Sequence, residues 1–281
     1  MVYIIDGKLR AKQIRDELKG EVLSLKAKGI TPKLVVVLVG DDPASHIYVN
    51  NKEKACAEVG IVSEAHKLPA NTKESDVLKL VEKLNKDKKV HGILVQLPLP
   101  DHINEEKVTN SIVQAKDVDG LGIVNMGMLI KGEGDPLICC TPQGVIDLIK
   151  TTGIDIKGKN AVVVGRSNMV GKPTAILLLK EHATVTICHS RTADLASVTS
   201  KADILVAAIG KAKMITANMI KKGAIVIDVG MNKTSAGFVG DVDFENAKEV
   251  AGYITPVPGG VGPMTIAMLL KNTLKAASKT I

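Results

Sequence analysis

Residues 161–173 read AVVVGRSNMVGKP. The apolar run, three valines in a row, has the composition of a strand buried on both faces. It stops at Gly165, and a helical pattern takes over near Ala175. A strand that passes through a glycine turn into a helix N-terminus forms an anion site. Backbone N–H groups and the positive end of the helix dipole face the ligand there. The dinucleotide pattern G-x-G-x-x-G is met only in part, because position 167 is Ser, position 170 is Val, and the next glycine is Gly171. An ordinary α/β turn is the alternative for this stretch on its own.

The next strand sharpens the reading. Residues 184–188 (TVTIC) lead into His189-Ser190-Arg191-Thr192, where an NAD site would place an acid for the ribose hydroxyl. No acid is present. A basic, hydroxyl-rich tip suits a 2′-phosphate, and Arg166 can close on the same group as a charged fork. The expected cofactor is therefore NADP. A solvated loop tip is the alternative for Ser190 and Arg191.

Further out, the same grammar repeats. Strand-like runs occur at 34–40 (LVVVLVG), 92–97 (GILVQL), 203–210 (DILVAAIG) and 224–230 (AIVIDVG), with helical patterns between them. Ala11, Ile14, Leu18, Val22 and Leu25 recur at three- and four-residue steps, which marks a first amphipathic helix. Residues 44–59 and 73–88 read as further helices. Strand and helix in alternation predict an α/β fold with parallel sheets. A Gly/Pro/charge cluster at 131–136 (KGEGDP) breaks the chain near its middle. It divides a first α/β domain, 1–138, from a Rossmann-type domain with a parallel sheet, 139–262. The Pro/Gly loop 256–263 (PVPGGVGP) leads into a last helix, 263–281, expected to pack back on the first domain.

Composition narrows the function classes. The chain has 281 residues, with 37 Lys and Arg against 30 Asp and Glu, a net charge of +7. A hydrophobic fraction of 45% supports a sizeable core and excludes a mostly disordered chain. With no Trp, three Tyr and two Phe, broad stacking on nucleic acid is not expected. The net charge suits an acidic small substrate or non-specific polyanion contact. The longest apolar runs are about six residues, far short of the ~20 that span a membrane, and no signal peptide is visible. Cys56, Cys139, Cys140 and Cys188 show no zinc spacing and read as reduced, buried thiols, so a cytoplasmic protein without a metal site is expected.

The first half carries candidate chemistry. Tyr48 and Lys52 are four residues apart, so both project from one helix face. A partly desolvated lysine beside a phenol can serve as acid or base, and a snorkelling surface lysine is the alternative. Tyr-x-x-x-Lys also occurs in short-chain dehydrogenases, but there it comes late in a single nucleotide domain, not before the glycine turn. Gln96 stands inside an apolar strand, which is costly unless its amide is hydrogen-bonded. Asp117-Val118-Asp119-Gly120 is a second acidic candidate or a plain turn.

Six strings then occur in order: VGDDPAS-x-x-YV-x-x-K, GILVQLPLP, KDVDG, VVVGRS-x-x-VGKP, TVTICHS and TPVPGGVGPMT. Together they resemble the bifunctional methylenetetrahydrofolate dehydrogenase/methenyltetrahydrofolate cyclohydrolase (FolD) family over essentially the whole chain. The resemblance implies NADP-dependent oxidation of 5,10-methylenetetrahydrofolate to the methenyl cation, then hydrolysis to 10-formyltetrahydrofolate. It implies Lys52 as the key catalytic group, supported by Gln96, with Tyr48 lining the folate pocket and Asp119 holding the pterin. Val95, Leu97, Pro256, Gly259 and Gly260 would border the folate, in a cleft between the domains. Gly165, Arg166 and Ser167 would take the cofactor phosphates, with Ser190 near the 2′-phosphate and Met231 making a backbone contact, and Arg191 beside Ser190 would strengthen the preference for NADP. It further implies a homodimer formed through the second domain. Two departures stand out: Cys139 where a proline is expected, and a less bulky Leu121-Gly122. A monofunctional dehydrogenase without the hydrolase and a non-catalytic NADP-binding protein remain the alternatives.

Overall fold

The computed structural model describes residues 2–235 and 237–280. The chain opens with β1 (Tyr3–Ile4), α1 (Gly7–Ala27), β2 (Lys33–Val39), α2 (Pro43–Val59), β3 (Val62–Leu68), α3 (Glu74–Lys86) and β4 (Gly92–Val95). Then come α4 (Glu105–Asn110), α5 (Ile123–Lys131), α6 (Cys140–Lys150), β5 (Asn160–Val164), α7 (Gly171–Lys180) and β6 (Thr184–Cys188). It closes with α8 (Leu195–Thr199), β7 (Ile204–Ala207), β8 (Ile225–Asp228), β9 (Asn232–Thr234), β10 (Gly237–Val239), α9 (Phe244–Ala247), β11 (Tyr253–Ile254) and α10 (Val261–Ser278). Among the described residues no helix is long and apolar enough to cross a membrane.

Two compact units emerge. One comprises Lys12–Cys140 with the segment from Ile266 onward, and the other Thr141–Thr265 with the segment up to Ala11. The opening segment, expected with the first domain, thus belongs with the later half. The cause is local: β1 pairs in parallel with β11, and the Tyr3 and Tyr253 rings lie 5.7 Å apart. The last helix is divided, with the residues from Ile266 in the first unit.

The first unit holds a parallel three-stranded sheet in the order β3-β2-β4. Six successive buried residues, Leu34 to Val39, make β2 its centre, the pattern of a strand covered on both faces. Val35, Val37, Ile93 and Val95 pack with Val77, Val81 and Leu84 of α3, which recur at helical spacing. Before α2, Asp42 accepts the Ser45 N–H at 2.8 Å, and Pro43 opens the helix. Gly60 ends it in the left-handed region at φ 85°. β3 (VSEAHKL) escapes sequence reading because, as a half-exposed edge strand, it lacks an apolar run.

The second unit holds a six-stranded, all-parallel sheet in the order β1-β11-β8-β7-β5-β6. From β5 the chain moves out to β6, then returns past β5 to β7. That reversal is a topological switch point, and ligands of such sheets bind outside the carboxyl ends of the strands. Val162, Val164, Leu205, Ala207 and Val226 build the core on one face. The short antiparallel hairpin β9–β10 follows β8.

Candidate functional site

In the first unit, α2 presents Lys52 to the end of β4. The Lys52 Nζ donates to Gln96 Oε1 at 2.7 Å. The Gln96 Nε2 donates to the Leu97 carbonyl at 2.6 Å, and its backbone N–H continues the ladder to Val37 at 2.8 Å. Both ends of the amide are therefore fixed. A flipped amide would put its NH2 against the ammonium and lose both bonds. Gln96 is 8% exposed, and its polar atoms are satisfied, as the cost of burying an amide requires.

Burial lowers the Lys52 pKa, while Asp119, Cys140 and Cys56 oppose the shift. Burial raises the Asp119 pKa, Asp117 adds to it, and the Lys52 charge works against it. Both groups are thus displaced toward their neutral forms. Tyr48 lies one turn before Lys52 on α2 and is 39% exposed.

The two acids of KDVDG differ in role. Asp117 is 2% exposed and accepts from the backbone N–H groups of Gly120, Leu121 and Gly122 and from Asn125 Nδ2. It is consumed in shaping the turn. Asp119 is left beside Lys52, with the Cys140 thiol against it. Val95 is 4% exposed, with its side chain in the apolar core. Leu97 is partly buried.

Sequence reasoning missed what holds this turn. On α10, Asn272 Nδ2 donates at 2.8 Å to the carbonyls of both Val118 and Ile138. The Cys139 thiol donates to Gly120 O at 2.9 Å and the Cys140 thiol to Val118 O at 3.3 Å, so the two bracket Asp119. Burial pushes both thiols up, and they act as neutral donors. A buried Asn inside an apolar helix was the available signal.

In the second unit, Gly165 sits at the end of β5 with φ 142°, and a Cβ there would lie 2.2 Å from the Ala208 carbonyl. A Cβ on Gly171 would lie 2.2 Å from the Gly165 carbonyl. The turn is thus a cradle that only glycine allows, at the switch point and at the start of α7. The Ser167 Oγ accepts from the N–H groups of Val170 and Gly171 at 3.2 and 3.3 Å. It caps α7, leaving its own proton to donate outward. Arg166, Ser190 and Arg191 are exposed, and among the described residues neither arginine forms an ion pair. At the β6 tip, His189 and Thr192 bond one another, and Arg191 N donates to His189 Nδ1 at 3.1 Å. No carboxylate stands in this tip. Phosphate-sized anions with basic partners fit these residues. Met231, 45% exposed, follows Gly230 in the loop after β8.

The loop 256–260 belongs to the second unit. Its Gly259 carbonyl accepts from Lys8 N at 3.0 Å, and a Cβ on Gly7 would lie 1.8 Å from the Gly260 carbonyl. Pro256 is partly buried, Gly259 and Gly260 buried.

A parallel sheet with a glycine turn at its switch point, joined in one chain to a buried lysine–amide–carboxylate group, defines a two-unit, dinucleotide-dependent enzyme. The chain belongs to the tetrahydrofolate dehydrogenase/cyclohydrolase family. Residues 5–119 match its catalytic domain and residues 139–281 its NAD(P)-binding domain. The bifunctional protein FolD of Moorella thermoacetica is 61% identical over 98% of this chain and 99% of its own. The crystal structure of the bifunctional FolD dehydrogenase/cyclohydrolase from Campylobacter jejuni matches with a TM-score of 0.98 at 48% identity, covering 100% of both chains. The Trypanosoma brucei dehydrogenase-cyclohydrolase, solved with NADP and an inhibitor, matches with a TM-score of 0.94 at 41% identity, covering 99% of this chain and 98% of its own.

Proposed function

We propose that this chain oxidises 5,10-methylenetetrahydrofolate to the 5,10-methenyl cation with NADP and then hydrolyses that cation to 10-formyltetrahydrofolate. The observation that carries the reading is the Lys52 Nζ held on Gln96 Oε1 beside Asp119. The relatives, bifunctional at 54–61% identity, set aside the monofunctional alternative.

The two steps ask different things of the protein. The methylene carbon already lies between two nitrogens that stabilise positive charge, so hydride loss needs orientation more than acid or base. Bound NADP supplies the hydride acceptor. Gly165 and Ser167 would hold its phosphates, Arg166 would reach from that turn to the 2′-phosphate beside Ser190 and Arg191, and the Met231 backbone would make a further contact. Hydrolysis needs proton transfer. Lys52, in its neutral form, takes a proton as water adds to the methenyl carbon. The ammonium so formed returns it to the departing ring nitrogen as that C–N bond breaks. The hydroxyl proton leaves to solvent as the formyl carbonyl forms, so one proton is released overall.

Gln96 holds the amine in line throughout, because its oxygen accepts from lysine in either protonation state. Asp119 accepts from the donor-rich edge of the pterin, and Tyr48 and Leu97 flank the ring. The buried Val95 side chain leaves only its main chain for substrate. Pro256, Gly259 and Gly260 border the folate. We further propose a homodimer. The β6 edge supports it, since it pairs on one side only and exposes Thr184, Thr186 and Ile187. Four buried free thiols support a reducing cytoplasmic setting.

The test is a spectrophotometric assay with 5,10-methylenetetrahydrofolate and either NADP or NAD. NADPH formation, with 10-formyl product above the spontaneous rate, is expected. Reduction with methenyl product accumulating would leave a dehydrogenase alone, and NADP binding without turnover a regulatory protein.

A further inference from the structure

We propose that Asp241 and Asp228 are positioning residues for the cofactor. These two buried carboxylates fix, through main-chain hydrogen bonds, the loops that follow β7 and β8. The inference rests on the dinucleotide reading of the second unit and deepens it.

Asp241 is 0% exposed and Asp228 3% exposed. A buried carboxylate is costly unless cations or hydrogen-bond donors replace its water. Among the described residues, no lysine or arginine forms a salt bridge to either. Backbone N–H groups take that place. Asp241 Oδ2 accepts from Ile209 N at 2.5 Å and Gly210 N at 2.9 Å. Its Oδ1 accepts from Lys211 N and Asn232 Nδ2, both at 2.9 Å. One carboxylate therefore gathers three successive N–H groups after β7 and ties them to the first residue of β9.

Asp228 extends the arrangement. Its Oδ1 accepts from Gly230 N at 3.0 Å and Asp241 N at 2.9 Å, and its Oδ2 from Val242 N at 2.9 Å. The strand register places Asp228 beside Ala207, at the carboxyl ends of β8 and β7. No side chain fits around the pair. A Cβ on Gly230 would lie 2.2 Å from Asp241 Oδ1, and one on Gly240 1.8 Å from Asp228 Oδ2. The two carboxylates thus set the main-chain path of 209–211 and 229–232, including Met231. These loops stand where a parallel sheet binds its ligand. Charge-assisted N–H bonds are roughly twice as strong as neutral ones, so the path is held rigidly before any ligand arrives.

The experiment compares full-length Asp241→Asn with the parent enzyme. The amide keeps one acceptor oxygen and turns an NH2 toward backbone donors, so part of one loop is released. NADP dissociation constants are measured by calorimetry, with dehydrogenase and cyclohydrolase rates from the same preparation. The expected result is a rise of about tenfold or more in both Kd and KM for NADP, a loss typical of a bond to a charged group. Hydrolysis of 5,10-methenyltetrahydrofolate, which consumes no cofactor, should stay within about twofold. An NADP Kd within twofold of the parent would overturn the proposal, as would hydrolysis falling as far as NADP affinity in a variant that is fully folded. Should that variant not fold, Asn232→Ala removes a single donor to Asp241 and should raise the NADP Kd about threefold; an unchanged Kd there would equally overturn it. A parent protein that binds no NADP would instead overturn the dinucleotide reading, and this inference with it.

Discussion

At the scale of single residues, Lys52 and Gln96 act as a unit whose geometry is set by one 2.7 Å bond. Lys52→Met keeps the stem and removes the amine. Cyclohydrolase activity is expected to fall by about 10²–10⁴, the range for a general acid–base group, while part of the dehydrogenase rate survives. Parallel assays of the two steps check this, and equal losses would contradict the division of labour. Arg166→Ala should weaken NADP by about tenfold or more and NAD by much less, since a charged hydrogen bond to phosphate is lost. Titration with both nucleotides measures it, and parallel weakening would remove Arg166 from the 2′-phosphate. Tyr48 and Lys52 were legible because helical spacing alone puts them on one face. Gln96 was legible because a polar residue in an apolar strand needs a partner. The same signal is present at Asp228 in the run IVID of β8, but an acid at a strand end two residues before a glycine reads equally well as the start of a turn. The separate roles of Asp117 and Asp119 could not be read from their spacing, because only the turn shows which carboxylate is already occupied.

At the scale of elements, α10 does more than close the chain. Its Asn272, 2% exposed, satisfies two carbonyls on either side of the Asp119 turn. Asn272→Leu fits the volume but takes the amide donor from both carbonyls, leaving Val118 O with the weaker Cys140 thiol. About 2–4 kcal/mol of stability should be lost, measured by urea denaturation with the slope m unchanged. A loss under 0.5 kcal/mol would mean that water replaces the amide. The long parallel strands β2, β4, β5, β7 and β8 were readable, since burial on both faces leaves an apolar run. β1 and β11 span two residues each and have no period to detect. β3, half-exposed at its edge, carries Glu64, His66 and Lys67 within its span and hides the strand in polar residues.

For the whole molecule, the pH dependence of stability combines opposed contributions. Burial raises the Asp228 carboxyl from 3.8 to about 6, with Asp241 adding to the shift and the N–H bonds resisting it. Below about pH 4 it is protonated in both folded and unfolded chains and contributes no slope. Between about 4 and 6 the unfolded chain releases its proton first, so stability falls as pH rises, by roughly 3 kcal/mol in all. Above about 6 the contribution is level. Asp203 has the opposite sign: the hydrogen bond from Lys221 lowers its pKa, so its contribution is present above the unfolded value and lost as pH falls. Urea denaturation of the parent and Asp228→Asn from pH 4 to 7 isolates the first term. The stability difference, parent minus variant, should decline across the window and then flatten; a constant difference would refute the assignment. The division of the chain has a consequence for its synthesis. β1 leaves the ribosome about 250 residues ahead of β11, its partner in the sheet. The first unit waits for the residues from Ile266 onward, which are made after Thr141–Thr265 of the other unit. Neither body can close on the segment that precedes it alone, so a nascent chain carries two open cores until these later residues have emerged.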